Sequence, residues 1–313
     1  MKRHKKINPK SIKTYSFNER PTKSQLEAFA KVPASNWTME DFIDGLPQFL
    51  KANELKGLIS DIESAKDKRR QCILMMGAHS LKVGLAPVII DLIDNGFITH
   101  LALNSACVIH DYEFAFYGRS SEDVGDTLQS GMFGMVSETP EFLHEVVSRA
   151  SGNEGLGTIL GQSFIEADPE LIEVSIFAAA VRNEIPVTVH VAIGADTIHQ
   201  HPDFDAKKWG KLSGEDFLIL AESCKDLNDG GVVINLGSAV ILPEVFLKAL
   251  NLARNIHGKI GNFSAANLDM IQHYRPLTNV VNRPTLPDGK KYTITGHFEI
   301  LIPLIAWALK ENP

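Results

Sequence analysis

At 313 residues, with 44% hydrophobic and 22% charged residues, the chain has room and composition for one large α/β domain or two modest ones. A net charge of −7 argues against nucleic acid or an anionic membrane as the main partner. No apolar run approaches the roughly 20 residues that span a bilayer. Cys72, Cys107 and Cys224 lie far apart with no CxxC pair, which speaks against a disulfide scaffold or zinc ribbon and for a reducing, cytoplasmic setting.

The chain opens on a basic run, MKRHKKINPKSIK, with no apolar segment behind it. It reads as a solvated arm rather than a signal peptide, transit peptide or nucleic-acid tail. Residues 1–70 form a basic arm and helical extension: Thr38 and Asp41 resemble a capping box before FIDGLPQFL, and a second helix runs through LKGLISDIESAKDK. From Cys72 the texture changes to short apolar runs, CILMM (72–76), THLALN (99–104), PVTVHVAI (186–193), GGVVINLG (230–237) and KIGNFS (259–264). Helical segments separate them. One runs from Ala86 to Asn95 and stops at Gly96; another is placed at Pro169–Asn183, with Asp168 as its N-cap. The series Gly152, Gly155, Gly157 and Gly161 reads as a flexible loop. The last segment, YTITGHFEILIPLIAWALK, reads as a strand and a closing helix.

Nearly continuous apolar strands alternating with helices predict a doubly wound, mainly parallel, Rossmann-like sheet over residues 71–313, with helices on both faces. Ligands of such sheets bind beyond the carboxyl ends of the strands. The segments that follow the predicted strands are rich in small and polar residues: Gly77-Ala78-His79-Ser80, Ser105 to Glu113, Gly194 to His201, Gly237-Ser238-Ala239, and Ser264 to Asn267. The first turn lacks a GxGxxG fingerprint, but its amides suit a diphosphate. His110 beside Asp111, with Glu113 near, has the groups of a general acid or base. Asp196, His199 and His201 are zinc- or iron-ligand types, which leaves open a metal site or a mobile polar loop. Lys82 sits among apolar neighbours where it meets a phosphate or carboxylate, or simply snorkels to solvent. No GxSxG elbow supports a hydrolase triad.

Over residues 70–310 the order of these segments resembles the deoxyhypusine synthase family. The resemblance is carried by MMGAHSLKVGLAPVIIDLIDNGFITHLALNSA, PELIEVSIFAAAVRNEIPVTVHVAIGAD, GGVVINLGSAVILPEVFLKALNLARN, KIGNFSAAN and TGHFEILIPLIAWAL. It implies an NAD-binding homotetramer with sites between subunits. It also implies cofactor contacts at Ala78, His79 and Ser80, at Asn104, Ser105 and Ala106, and at Gly237 and Ser238. That family passes an aminobutyl group through an imine on a lysine just after the glycine-rich turn. Here that stretch is Ala239-Val240-Ile241-Leu242-Pro243, and the next lysine is Lys248. Without an amine no imine forms.

The sequence therefore predicts an NAD-binding relative that is not a competent deoxyhypusine synthase. It would act on a small amine or polyamine-like substrate by dehydrogenation or non-covalent transfer. His110 supported by Asp111 would be the base, and His79, His199 and His297 would orient substrate. The alternatives are a metal-dependent lyase or hydrolase built on Asp196, His199 and His201, and a non-catalytic binding or assembly relative.

Overall fold

A computed structural model describes residues 4–151 and 153–311. Met1–Arg3 of the basic run and Gly152 of the glycine series lie outside the described residues.

Six strands, β1 (Cys72–Met76), β2 (His100–Asn104), β3 (Val187–His190), β4 (Val232–Leu236), β5 (Ser264–Asp269) and β6 (Lys290–Thr295), pair in the order β3-β2-β1-β4-β5-β6, every pair parallel. β1, β4 and β5 are buried at every residue because helices cover both faces, which is why their sequences barely alternate. β6 is an edge strand, and its exposed Lys290 and Lys291 blunt that edge. Leu74, Met76, Ile234 and Leu236 enter one core, while Ile73, Met75 and Val233 enter a second one across the sheet.

The helices follow in chain order. α1 (Met39–Gly45) begins with the expected Thr38–Asp41 capping box, and α2 (Leu50–Asp67) buries Leu58, Ile59, Ile62 and Ala65. These residues belong to the first core, so the helical part of the N-terminal extension packs with the sheet, whereas residues 4–36 are almost wholly exposed. α3 (His79–Lys82) and α4 (Ala86–Asp94) follow β1; α5 (Ser105–Tyr117) starts directly from β2. α6 (Val124–Gln129), α7 (Glu138–Arg149), α8 (Leu156–Ala167) and α9 (Ile176–Arg182) fill the long connection to β3. α10 (Ala206–Ser223), α11 (Ile241–His257), the single turn α12 (Tyr274–Pro276) and the closing α13 (Phe298–Glu311) complete the chain.

Three expectations are corrected. Asp168 is not an N-cap: it ends α8 in the left-handed region, at φ 43°, and Ser175 caps a shorter helix that starts at Ile176. KIGNF is not a strand; β5 begins at Ser264, so Ser264 to Asn267 lie within the sheet and its exit is Asp269. Gly157 and Gly161 are helical rather than loop residues. They allow α8 to lie against the chain: a Cβ on Gly157 would overlap the Val187 carbonyl, and one on Gly161 would come within 2.8 Å of the Phe177 carbonyl oxygen.

Candidate functional site

Strand order reverses between β1 and β4, which makes their carboxyl ends the switch point of the sheet. The two turns there lie against each other. Gly77 donates its amide to the Leu236 carbonyl at 3.1 Å, and a Cβ on Gly77 would sit 3.1 Å from the Gly237 carbonyl oxygen. Gly237 takes φ 66°, and the Phe298 ring covers its Cα, 2.5 Å from where a Cβ would stand. Of the sequence-derived cofactor residues, Ala78 and Ser80 are buried, Ser80 donating to the Gly77 carbonyl at 2.8 Å. His79 is exposed and meets Phe298 edge-on, ring centres 5.8 Å apart. Ser238 accepts the Leu242 amide of the first turn of α11 at 3.2 Å.

The exits of β2 and β3 also meet. Asn104 caps α5 through the Cys107 amide at 3.2 Å, Ala106 packs against the first core, and buried Ser105 donates to Asp196 from the loop after β3. His199 accepts the amides of Gly194 and Asp196 on Nδ1, at 3.0 and 3.2 Å, so its proton sits on Nε2, which is buried without a partner. His201 points its Nε2 at the Gly134 carbonyl, 2.9 Å away, and so carries a proton there. The three side chains thus face different partners. Among the described residues no group of three or more His, Cys, Asp or Glu could hold a metal ion. The donors do not fit zinc or iron.

His110 lies on α5 and is mostly buried. Its Nδ1 bonds to the Ser120 hydroxyl, which also bonds to Glu113; Thr139 donates to the other Glu113 oxygen at 3.2 Å. Burial first, and the Lys82 charge second, push His110 down to about 4, so the ring is neutral at pH 7. Asp111 does not join it. Consecutive helical residues point about 100° apart, and Asp111 instead accepts the Ser175 hydroxyl at 2.5 Å and the Ile176 amide at 2.9 Å at the start of α9. His297 stands exposed at the exit of β6, 3.7 Å from Glu299, and bonds to no member of the His110 group.

Asp111 is 1% exposed, and burial raises its carboxyl to about 7. A folded-state value above the unfolded one gives stability that is fully present below about pH 4 and is lost as pH rises through about 7. Asp111→Asn keeps the acceptor for Ile176 and carries no charge. Urea midpoints should therefore show the variant gaining on the wild type by about 1 kcal/mol per pH unit from pH 5 to 7 and levelling off above. A pH-independent difference would contradict the assignment.

Sequence reasoning missed Ser120 and Thr139, which reach the site only through the fold, and an amide ladder at the next exits. Asn235 donates to Asn267 at 2.7 Å and Asn267 to Gln272 at 2.8 Å. The available signal was an asparagine at the same register in two otherwise apolar strands.

No protein-family model and no curated protein matches the sequence. Solved structures do match. A "putative deoxyhypusine synthase" from Entamoeba histolytica aligns over 95% of this chain and 96% of its own, at 11% identity and TM-score 0.51. AgrE, solved as a ternary complex with ornithine and NAD+, aligns over 82% of this chain at 13% identity and TM-score 0.54. ArgZ, an arginine dihydrolase from the ornithine-ammonia cycle in cyanobacteria, aligns over 86% at 14% identity and TM-score 0.52. This chain spans about a third of the length of the AgrE and ArgZ chains, 33% of each. No helix among the described residues is long and apolar enough to cross a membrane. The resemblance read from the sequence therefore holds as a fold: the chain is a Rossmann-like α/β protein with the architecture of the deoxyhypusine synthase-like structure, aligned over nearly its whole length.

Proposed function

We propose that the chain is an NAD-dependent enzyme acting on a small amine or polyamine-like substrate, by dehydrogenation or non-covalent group transfer. The observation that carries this reading is the junction of the β2 and β3 exits through Ser105 and Asp196, beside the helix that holds a neutral His110. The fold likeness to AgrE, whose structure contains ornithine and NAD+, supports the same ligand classes.

The residues present fit a dinucleotide without a GxGxxG loop. Phe298 covers Gly237, so the contacts on this chain fall to Ala78, His79, Asn104, Ser105, Ala106 and Asp196. Asp196 supplies an acceptor at the exit of β2, where sheets of this order bind a ribose hydroxyl. When bound, the nicotinamide would accept a hydride.

The protein's own part is acid-base chemistry. With Nδ1–H donated to Ser120 and the Ser120 hydroxyl donated to Glu113, His110 presents an unprotonated Nε2. That nitrogen takes the substrate proton, and Glu113 stabilises the resulting imidazolium through Ser120. Residues 239–243 offer no amine, and Lys248 is committed to Glu244 on α11, so no lysine imine takes part. Assembly into a homotetramer belongs to this reading. Amine-dependent reduction of NAD+, followed by nicotinamide absorbance over a panel of diamines, polyamines and ornithine, tests it. Absence of reduction across the panel would count against the dehydrogenase form.

A further inference from the structure

The face of the sheet beneath α10 buries a row of polar side chains that the chemistry above does not use. His100, the first residue of β2, is fully buried. Its Nδ1 lies 2.8 Å from the hydroxyl of Ser223, the half-buried last residue of α10. Its Nε2 lies 3.0 Å from the Thr188 hydroxyl. On the far side of that hydroxyl, at 3.1 Å, is Nε2 of His190, the last residue of β3 and the register partner of Asn104. His190 is 3% exposed, and its Nδ1 bonds to no described residue. The row therefore begins at the amino end of β2 and finishes at the carboxyl rim.

Donor counting gives the row a direction. Thr188 has one hydroxyl proton; its contact to the Leu101 carbonyl is long, at 3.4 Å, so that proton serves one bare Nε2 at 3.0 or 3.1 Å, and the other ring must donate to the hydroxyl. With the Thr188 proton kept in the row, the two rings take opposite tautomers about it. Two arrangements meet this condition, and each is the other with every hydrogen bond reversed. We propose that His190, Thr188, His100 and Ser223 form a proton relay linking the carboxyl rim to solvent at the opposite edge of the sheet. A proton arriving on His190 Nδ1 displaces the one on Nε2 to Thr188. The Thr188 proton passes to His100 Nε2, the His100 Nδ1 proton passes to Ser223, and the Ser223 proton leaves to water. Four groups each gain and lose one proton, and the row is left in its reversed arrangement.

Burial holds both rings far below the usual histidine range, to about 3, so neither is a resting cation that would trap the proton. The neighbouring charged groups do not interrupt the row. Asp216 of α10 is turned to the Gly157 and Val189 amides, and Glu222, next to Ser223, pairs with His257. The use of the relay rests on the reading above, since a dehydrogenation releases a proton with each hydride transferred. Its existence does not.

The test needs neither cofactor nor substrate. In histidine-¹⁵N-labelled protein at pH 7, ring nitrogen shifts should show His100 and His190 neutral and in opposite tautomers. The ring proton of fully buried His100 should exchange with water by relay rather than by opening. Ser223→Ala and Thr188→Val should then each slow it at least about tenfold, while Thr188→Ser restores it and backbone amide exchange in β2 and β3 holds steady. Exchange that is unchanged or faster in Ser223→Ala would overturn the relay, as would identical tautomers in the two rings. Failure of NAD+ reduction alone would leave these results standing.

Discussion

Gly157→Ala is expected to cost about 3 kcal/mol or more, the upper range for overpacking a rigid contact. The added methyl would overlap the Val187 carbonyl, which is backbone held in the β2–β3 ladder and cannot rotate aside. α8 would have to lift from β3, and its first turn would lose the Asp216 carboxylate that accepts the Gly157 amide at 3.0 Å. Gly210→Ala and Gly214→Ala on α10 are the matched controls. A Cβ at either meets nothing within 4 Å, so each should be neutral or gain up to about 1 kcal/mol from helix propensity. Chemical denaturation of the three variants checks the contrast. Equal midpoints for Gly157→Ala and Gly210→Ala would mean that α8 does not sit this closely on the sheet.

The second large effect falls on turnover. His110→Ala should lower amine-dependent NAD+ reduction by about 10²- to 10⁴-fold, the usual contribution of a positioned base. NAD+ affinity should hardly move, because the ring's partners among the described residues are Ser120 and Glu113 rather than the β2 exit. Glu113→Gln and Ser120→Ala should lose less than His110→Ala, since each removes only the support for an imidazolium. Turnover in His110→Ala equal to the wild type would remove His110 as the base. A loss confined to KM would make it a binding group instead.

The sheet was legible because runs such as CILMM and VVIN bury both faces, and a continuous apolar segment of that length has few other homes. β5 was not, because four of its six buried residues are Ser264, Ala265, Ala266 and Asn267. Small residues admit close helix packing without raising hydrophobicity, so the apolar signal falls on KIGNF before them. The same limit hid α8, whose glycines look like loop residues until the carbonyls they lie against are known. Asp168 before Pro169 carries every local sign of an N-cap, yet tertiary packing uses it to end the preceding helix.

At the site, the rim turns after β1, β2, β3 and β4 were readable from small and polar residues following apolar runs. The partner of His110 was not. Adjacency in sequence pointed to Asp111, whereas on a helix the side chains that meet are three or four apart, as His110 and Glu113 are. Ser120 enters only because Gly118 ends α5 with φ 66° and the chain turns back. Likewise, Asp196, His199 and His201 resemble a ligand set on paper, but a short loop has fixed their side chains on separate partners, Asp196 on Ser105, His199 on backbone amides and His201 on the Gly134 carbonyl.

The proposed function requires the exits of β1 and β2 to hold a nicotinamide dinucleotide. Calorimetric titration of the full chain with NAD+ tests it most directly, run beside Asp196→Ala and the distant control Lys248→Ala. Saturable binding at one site per chain is expected, weakened about tenfold or more in Asp196→Ala, as for loss of a hydrogen bond to a charged group, and unchanged in Lys248→Ala. No saturable heat with NAD+, or binding indifferent to Asp196, would contradict it.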